Sequence, residues 1–264
     1  PDMDKVEFMV SNDDSIKGIW CVPKYSNPDG ISYSDETVKR FARLKPKAKD
    51  FRIFWDNAYT VHHLYEDKQD YILEILTECK KCGTEDMVYK FGSTSKITFP
   101  GSGIASMAAS EKNIEEIISH LKVQTIGYDK VNQLRHARFF KDINGIKEHM
   151  KKHADILRPK FEMVEKIFDE ELIPLSIAHF TKPRGGYFIS LYTMDGVAKA
   201  TIKKCLDIGV KLTDAGASFP YHKDPHDSNI RIAPSYPDMD SLRLATKVVV
   251  LSIKLCTIEK LLYK

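Results

Sequence analysis

Short apolar runs alternate with amphipathic stretches through the first half of the chain. Residues 19–25 form one such run and end in Ser26-Asn27-Pro28-Asp29-Gly30, a dense turn signal. Ser34, followed by Asp35 and Glu36, predicts a helix start, with Val38, Phe41 and Ala42 on its apolar face and Lys45-Pro46 past its stop. Residues 51–55 predict a second buried strand closed by Asp56, and 70–82 predict a helix. Residues 87–91 predict a third strand, followed by Gly92-Ser93-Thr94-Ser95-Lys96, and 103–109 are small and apolar enough for a fourth. Strands recurring with helices between them predict an α/β fold built on a mostly parallel, doubly wound sheet. In such sheets ligands bind at the carboxyl ends of the strands. Asn27, Asp56 and residues 93–96 all lie just past a predicted strand end.

The second half is more helical. Ile114, Ile117, Ile118 and Leu121 recur at helical spacing and predict a helix over 111–122, with another over 130–140. From Asn144 a long pattern runs through Ile146, Met150, Leu157, Phe161, Val164 and Phe168, and Pro159 predicts a kink or break in it. The domain boundary is therefore expected there, giving domains of 1–158 and 159–264. Beyond it, strands are expected at 177–180, 186–192, 210–212 and 230–233, and helices at 197–206 and 240–262, which together make a smaller α+β domain.

Composition narrows the function class. The chain has 264 residues, 42% hydrophobic and 29% charged, which excludes disordered and fibrous classes. Its 40 basic and 37 acidic residues are interspersed and leave a net charge of +3, so no basic stripe points to a nucleic-acid partner. The most apolar stretch, 248–253, is far too short for a membrane span, and no secretory leader is visible at the start. Five cysteines form no disulfide framework and point to a reducing, cytoplasmic compartment. Cys79 and Cys82 make a CxxC pair, but it closes an apolar-periodic stretch beside Gly83 and has no second pair, so it reads as two helix-end thiols. His62, His63 and His136 have no spacing that demands acid–base or zinc chemistry, and no metal is expected.

Five segments occur in one order: residues 23–30 (Pro-Lys-Tyr-Ser-Asn-Pro-Asp-Gly), Asp56-Asn57-Ala58-Tyr59, Ser93-Thr94-Ser95-Lys96, Pro183-Arg184-Gly185-Gly186-Tyr187-Phe188 and Asn229-Ile230-Arg231-Ile232-Ala233-Pro234. Together they resemble the fold-type I, class I aminotransferases that use pyridoxal 5′-phosphate. Residues 95–103 (Ser-Lys-Ile-Thr-Phe-Pro-Gly-Ser-Gly) and 133–138 (Gln-Leu-Arg-His-Ala-Arg) resemble the MocR-type aspartate aminotransferase subgroup in particular. The resemblance covers essentially the whole chain. It implies that 1–158 is the C-terminal part of a large cofactor-binding domain, with the family's N-terminal part missing before Pro1, and that 159–264 is the small domain.

The same resemblance gives each residue a role. Lys96 would hold the cofactor's aldehyde and act as the catalytic base. Asp56 would face the pyridine nitrogen and keep it protonated. Tyr59 and Asn27 would bond the phenolic oxygen, and Ser93 and Ser95 the phosphate. Arg231, with Asn27 beside it, would bind the substrate α-carboxylate as a fork. Tyr187 and Gly186 would shape the substrate wall. Many family members carry a phosphate-binding arginine about two helical turns after the lysine, where this chain has Ile104 with Ser102 and Gly103 beside it. The implied activity is transfer of an amino group from an amino acid, with aspartate as the candidate, to a 2-oxo acid, by a homodimer. A second carboxylate on the substrate would need a further cation, for which Arg135, Arg138 and Lys130 are candidates. β-Elimination on the same cofactor stays open. So do a truncated, inactive remnant and a cofactor-binding module, although no helix-turn-helix segment with a basic face accompanies the chain.

Overall fold

A computed structural model describes residues 1–262 and resolves the chain into two units. The first comprises Pro1–Lys24, Ser32–Val61 and Asp70–Met150. Its frame is a four-stranded sheet in the order β1 (Gly18–Cys21), β2 (Arg52–Asp56), β3 (Val88–Ser93) and β4 (Ala105–Ala108). The first three strands are parallel, and β4 returns antiparallel to β3. Alternation along β2 sends Ile53 and Trp55 into a core shared with Val38, Phe41, Ile75, Cys79 and Val88. That core joins the sheet to α1 (Met3–Asn12), α2 (Asp35–Ala42) and α3 (Ile75–Cys82). The intervening side chains point the other way: Trp20 stacks on Phe54 at 5.5 Å and on Phe91 at 6.2 Å, and is itself 63% exposed.

Local chemistry sets the helix ends. Ser34 caps α2 by accepting from the Thr37 amide. The helix expected over 70–82 is shorter, because the Glu74 carboxylate caps it from outside, accepting from the Thr77 amide and pairing with Lys90 at 2.7 Å. It ends as expected at Gly83, which is left-handed at φ 69°. Helix α1 was not among the expected elements, although Met3, Val6 and Val10 fall at helical spacing and Asp2 caps them. Helices α4 (Glu111–Gln124) and α5 (Lys130–Phe140) follow β4, capped by Ser110 and Asp129.

Helix α6 (Ile143–Glu171) continues through Pro159, so the break expected there does not form. An internal proline costs about 3 kcal/mol. Phe161, Val164 and Phe168 on the same helix are completely buried, at about 1.5–3 kcal/mol each, so packing outweighs the proline.

The second unit comprises Tyr25–Ile31, His62–Gln69 and the chain from Lys151 onward. Its antiparallel sheet is β5 (Ala178–Phe180), β6 (Ile189–Thr193) and β7 (Asn229–Ile232), packed with α6, α7 (Ala198–Asp207) and α8 (Met239–Leu262). The strand expected at 210–212 does not form. The Val210 amide instead donates to the Cys205 carbonyl at 2.8 Å, closing α7, while Val210 and Leu212 pack against the core without joining a ladder. No helix among the described residues is long and apolar enough to cross a membrane.

Candidate active site

In the first unit the predicted residues gather at the carboxyl ends of β2 and β3. Asp56 ends β2 opposite Phe91, and the Asn57 amide donates to the Phe91 carbonyl at 3.0 Å, so the pairing continues past it. Asp56 is half-buried, and its carboxylate has neither a hydrogen bond nor an ion pair among the described residues. Ser93 ends β3. Its hydroxyl accepts from the Ser95 amide at 2.9 Å and donates to the Ser95 hydroxyl at 2.7 Å, turning the chain sharply. The Thr94 amide donates to the Ile104 carbonyl, and the Ile104 amide donates back to the Thr94 hydroxyl, both at 2.9 Å. The loop is thus closed at its base. Gly103 makes this possible, because a Cβ there would stand 2.7 Å from the Ser95 hydroxyl oxygen and 2.9 Å from its amide nitrogen.

Ser95 and Lys96 stand exposed at the tip of this loop. The Lys96 ammonium lies 5.1 Å from the centre of the Tyr59 ring, a cation–π distance, and Tyr59 is buried. The structure therefore places Lys96 with Tyr59, Ser93 with Ser95, and Asp56 on the neighbouring strand end.

In the second unit it places Arg231 with Asn27. Arg231 lies on β7 opposite Ser190. Its Nη1 donates to the Asn27 side-chain oxygen Oδ1 at 3.1 Å, its Nη2 to the Thr213 hydroxyl at 3.4 Å, and its guanidinium lies 4.7 Å from the centre of the Phe188 ring. Its Nε is buried with no hydrogen-bond partner, and no carboxylate pairs with it among the described residues. A half-buried cation held only by neutral groups keeps its charge for an incoming anion.

The Asn27 loop is built to hold that geometry. The Ser26 amide donates to the Ile31 carbonyl at 2.8 Å, and Asp29 accepts from the Tyr192 hydroxyl at 2.8 Å. Tyr25 is completely buried at φ 51°, and its hydroxyl meets His63 Nδ1 at 2.7 Å. A Cβ on Gly185 would stand 2.3 Å from the Tyr25 ring, so this segment must carry glycine. The start of β7 is tied by Asp224. Burial alone would raise its pKa, but the backbone amides of Asn229, Ser228 and His226 donate to it and hold it below the usual carboxylate range.

The whole chain, residues 1–264, matches the family model described as aspartate amino-transferase. The chain belongs to that aminotransferase family. Among similar proteins, one from Mycolicibacterium smegmatis, provisionally named an aminotransferase, is 44% identical over 99% of this chain and 61% of its own length. The aspartate aminotransferase of Corynebacterium glutamicum is 39% identical over 98% of this chain and 60% of its own length. A crystal structure of an aspartate transaminase from Corynebacterium glutamicum superposes with a TM-score of 0.96 at 40% identity, covering 98% of this chain and 61% of that one. The chain thus spans about three fifths of the length of the curated relatives it matches. These likenesses bear out the α/β architecture and place the chain in a family of enzymes.

Within the family frame, the other candidates are more ordinary. Arg135 donates to the Asn132 side-chain oxygen at 2.6 Å on the exposed face of α5, and Arg138 and Lys130 are exposed there too. Tyr187 packs edge-on to His62 at 5.2 Å, and burial raises its phenol. Cys79 is buried, which pushes its thiol up to about 11, while Cys82 is exposed. The sequence pattern missed the support that Thr213 and Phe188 give Arg231. Phe188 stood in a quoted motif, but nothing in the spacing of 188, 213 and 231 signals a shared contact.

Proposed function

We propose that this chain carries the lysine and the carboxylate-binding arginine of a pyridoxal 5′-phosphate-dependent aminotransferase of the MocR-type aspartate subgroup. The activity is proposed for a polypeptide of the relatives' length that contains this chain. The observation that carries the reading is the tip of the 93–104 loop, with Lys96 over buried Tyr59 and, on the adjacent strand end, an Asp56 unpaired among the described residues.

The donor set fits the cofactor. When bound, pyridoxal 5′-phosphate supplies an aldehyde for amine nitrogen and a pyridine ring that takes up the electron pair released at the substrate α-carbon. Lys96 would hold that aldehyde and carry the proton between the α-carbon and cofactor C4′. Asp56, an acid without a partner among the described residues, would hold the proton on the pyridine nitrogen by opposite charge. Tyr59 and Asn27 would donate to the phenolic oxygen. Ser93 and Ser95 would bind the phosphate through hydroxyls, with Ser102 nearby in sequence and Ile104 contributing no charge. Arg231 would clamp the α-carboxylate, Asn27 steadying its fork.

Aspartate and a 2-oxo acid are the proposed substrates, supported by the name of the 39%-identical relative. Arg135, Arg138 and Lys130 are the cations offered for a second carboxylate. A homodimer in the cytoplasm completes the proposal, and sedimentation as a monomer only would count against the dimer. The five cysteines, all free, support a reducing compartment.

An absorbance titration with pyridoxal phosphate tests the reading. The chain should develop the shifted band of a lysine-bound cofactor, Lys96→Ala should abolish it, and Asp56→Asn should weaken it. An identical band in Lys96→Ala would overturn the assignment and favour an inactive remnant or a plain cofactor-binding module.

A further inference from the structure

The chemistry above gives His136 of the 133–138 motif no role, yet this histidine sits directly behind the lysine loop. His136 is buried on α5. Its Nδ1 lies 2.9 Å from the Asn132 carbonyl oxygen, one helical turn back. A carbonyl can only accept, so Nδ1 carries the proton and Nε2 of the neutral ring offers a lone pair. Nε2 lies 3.2 Å from the Thr94 hydroxyl and 3.0 Å from that of Thr98. Thr94 already accepts from the Ile104 amide, so its own proton is directed to His136. Thr98 can meanwhile donate to the Thr94 carbonyl at 3.1 Å.

A directed chain of hydrogen bonds therefore runs from Ile104 through Thr94 and His136 to the backbone of α5. Two neighbours complete the hold. The Asn132 side-chain amide, on the same face of α5, donates to the Ser102 carbonyl at 2.8 Å. His149 Nε2 meets the Ile97 carbonyl at 2.9 Å, its ring packed edge-on to Phe139 and Phe140. Residues 94, 97, 98, 102 and 104 are all tied down. At the tip, Ser95 and Lys96 stand exposed, with Lys96 close to the Tyr59 ring.

We propose that His136 is a positioning residue that presents Lys96 by pinning both legs of its loop to α5. The chemical role of Lys96 rests on the function proposed above, but the pinning does not. Amide hydrogen exchange on the full 264-residue chain reads the pinning directly. In His136→Ala, exchange at Ile97, Thr98 and Ile104 should rise about tenfold, while Ile53–Trp55 of β2 stays unchanged. His136→Gln, whose side-chain oxygen can still accept from Thr94, should recover most of the protection. If His136→Ala loosens β2 as well, Thr94→Val cuts the same link from the loop side without emptying the space behind it, and the same local rise is expected there. Unchanged loop exchange in Thr94→Val, or a rise shared equally with β2, would overturn the proposal.

A second readout ties the loop to the lysine. Borohydride-fixed pyridoxal phosphate on Lys96 should fall about tenfold in His136→Ala relative to total lysine labelling, and return in His136→Gln. A wild-type chain that takes no label at Lys96 would defeat the cofactor assignment, while the exchange data would still decide the role of His136.

Discussion

Gly103 approaches Ser95 so closely that a Cβ on it would stand 2.9 Å from the Ser95 amide nitrogen and 3.1 Å from its Cα. That contact is with backbone, which cannot swing aside as a side chain can. Gly103→Ala should therefore destabilise the chain by about 1–3 kcal/mol and displace the tip that carries Lys96. Thermal unfolding and cofactor titration on the same variant check both effects. A stable variant with wild-type cofactor affinity would contradict the close approach.

Arg231 is held by two neutral oxygens and an aromatic face. Arg231→Lys keeps the charge but loses the fork and the stacking surface. The KM for the amino acid substrate should rise about tenfold or more in the active polypeptide, with a smaller effect on kcat. Thr213→Val should raise KM a few-fold, about the worth of one hydrogen bond. An unchanged KM in Arg231→Gln would remove Arg231 from the carboxylate site.

Glu165 gives the second unit a pH dependence of its own. Burial pushes its carboxyl up to about 7; Lys182 pulls the other way, and Asp169 and Glu162 add like-charge repulsion. One of its oxygens is buried without a hydrogen-bond partner among the described residues. The folded pKa lies above the unfolded value of 4.5, so the folded state holds the proton more tightly. This contribution to stability is complete below pH 4.5 and is lost as pH rises through about 7. Glu165→Gln should match the wild type in acid and exceed it at pH 8 by about 2 kcal/mol, after allowance for partial exposure. Unfolding midpoints measured across that range check the sign, and a variant less stable at pH 8 would contradict it.

The two tryptophans should behave differently. Trp20 is 63% exposed on its stack with Phe54 and Phe91, whereas Trp55 is 2% exposed in the core. Acrylamide should quench one component of the fluorescence strongly and the other weakly. Trp20→Phe should leave only the protected component. A single, uniformly protected emission would mean that the aromatic face is covered in solution.

Periodicity and punctuation made most elements legible. The alternation of Ile53, Phe54 and Trp55 and the Ser34 and Gly83 signals act over a few residues, and so do the contacts they create. The errors arose where distant contacts decide. Pro159 stays inside a helix because Phe161, Val164 and Phe168 are buried against the rest of their unit. Val210 and Leu212 have strand-like side chains, but no neighbouring strand is available to pair with them. The same distinction holds at the site. The run of hydroxyls before Lys96, which the proposal gives to the phosphate, is visible in its own sequence. The contacts of His136 with Thr94 and of Thr213 with Arg231 join remote segments and leave no local pattern.

The central claim is that Lys96 is the cofactor lysine. The most direct measurement is to mix the purified chain with pyridoxal phosphate, reduce it with borohydride and map the modified lysines by mass spectrometry. A single adduct at Lys96, lost in Lys96→Ala, is the predicted result. Labelling scattered over the exposed lysines, with no preference for Lys96, would contradict it.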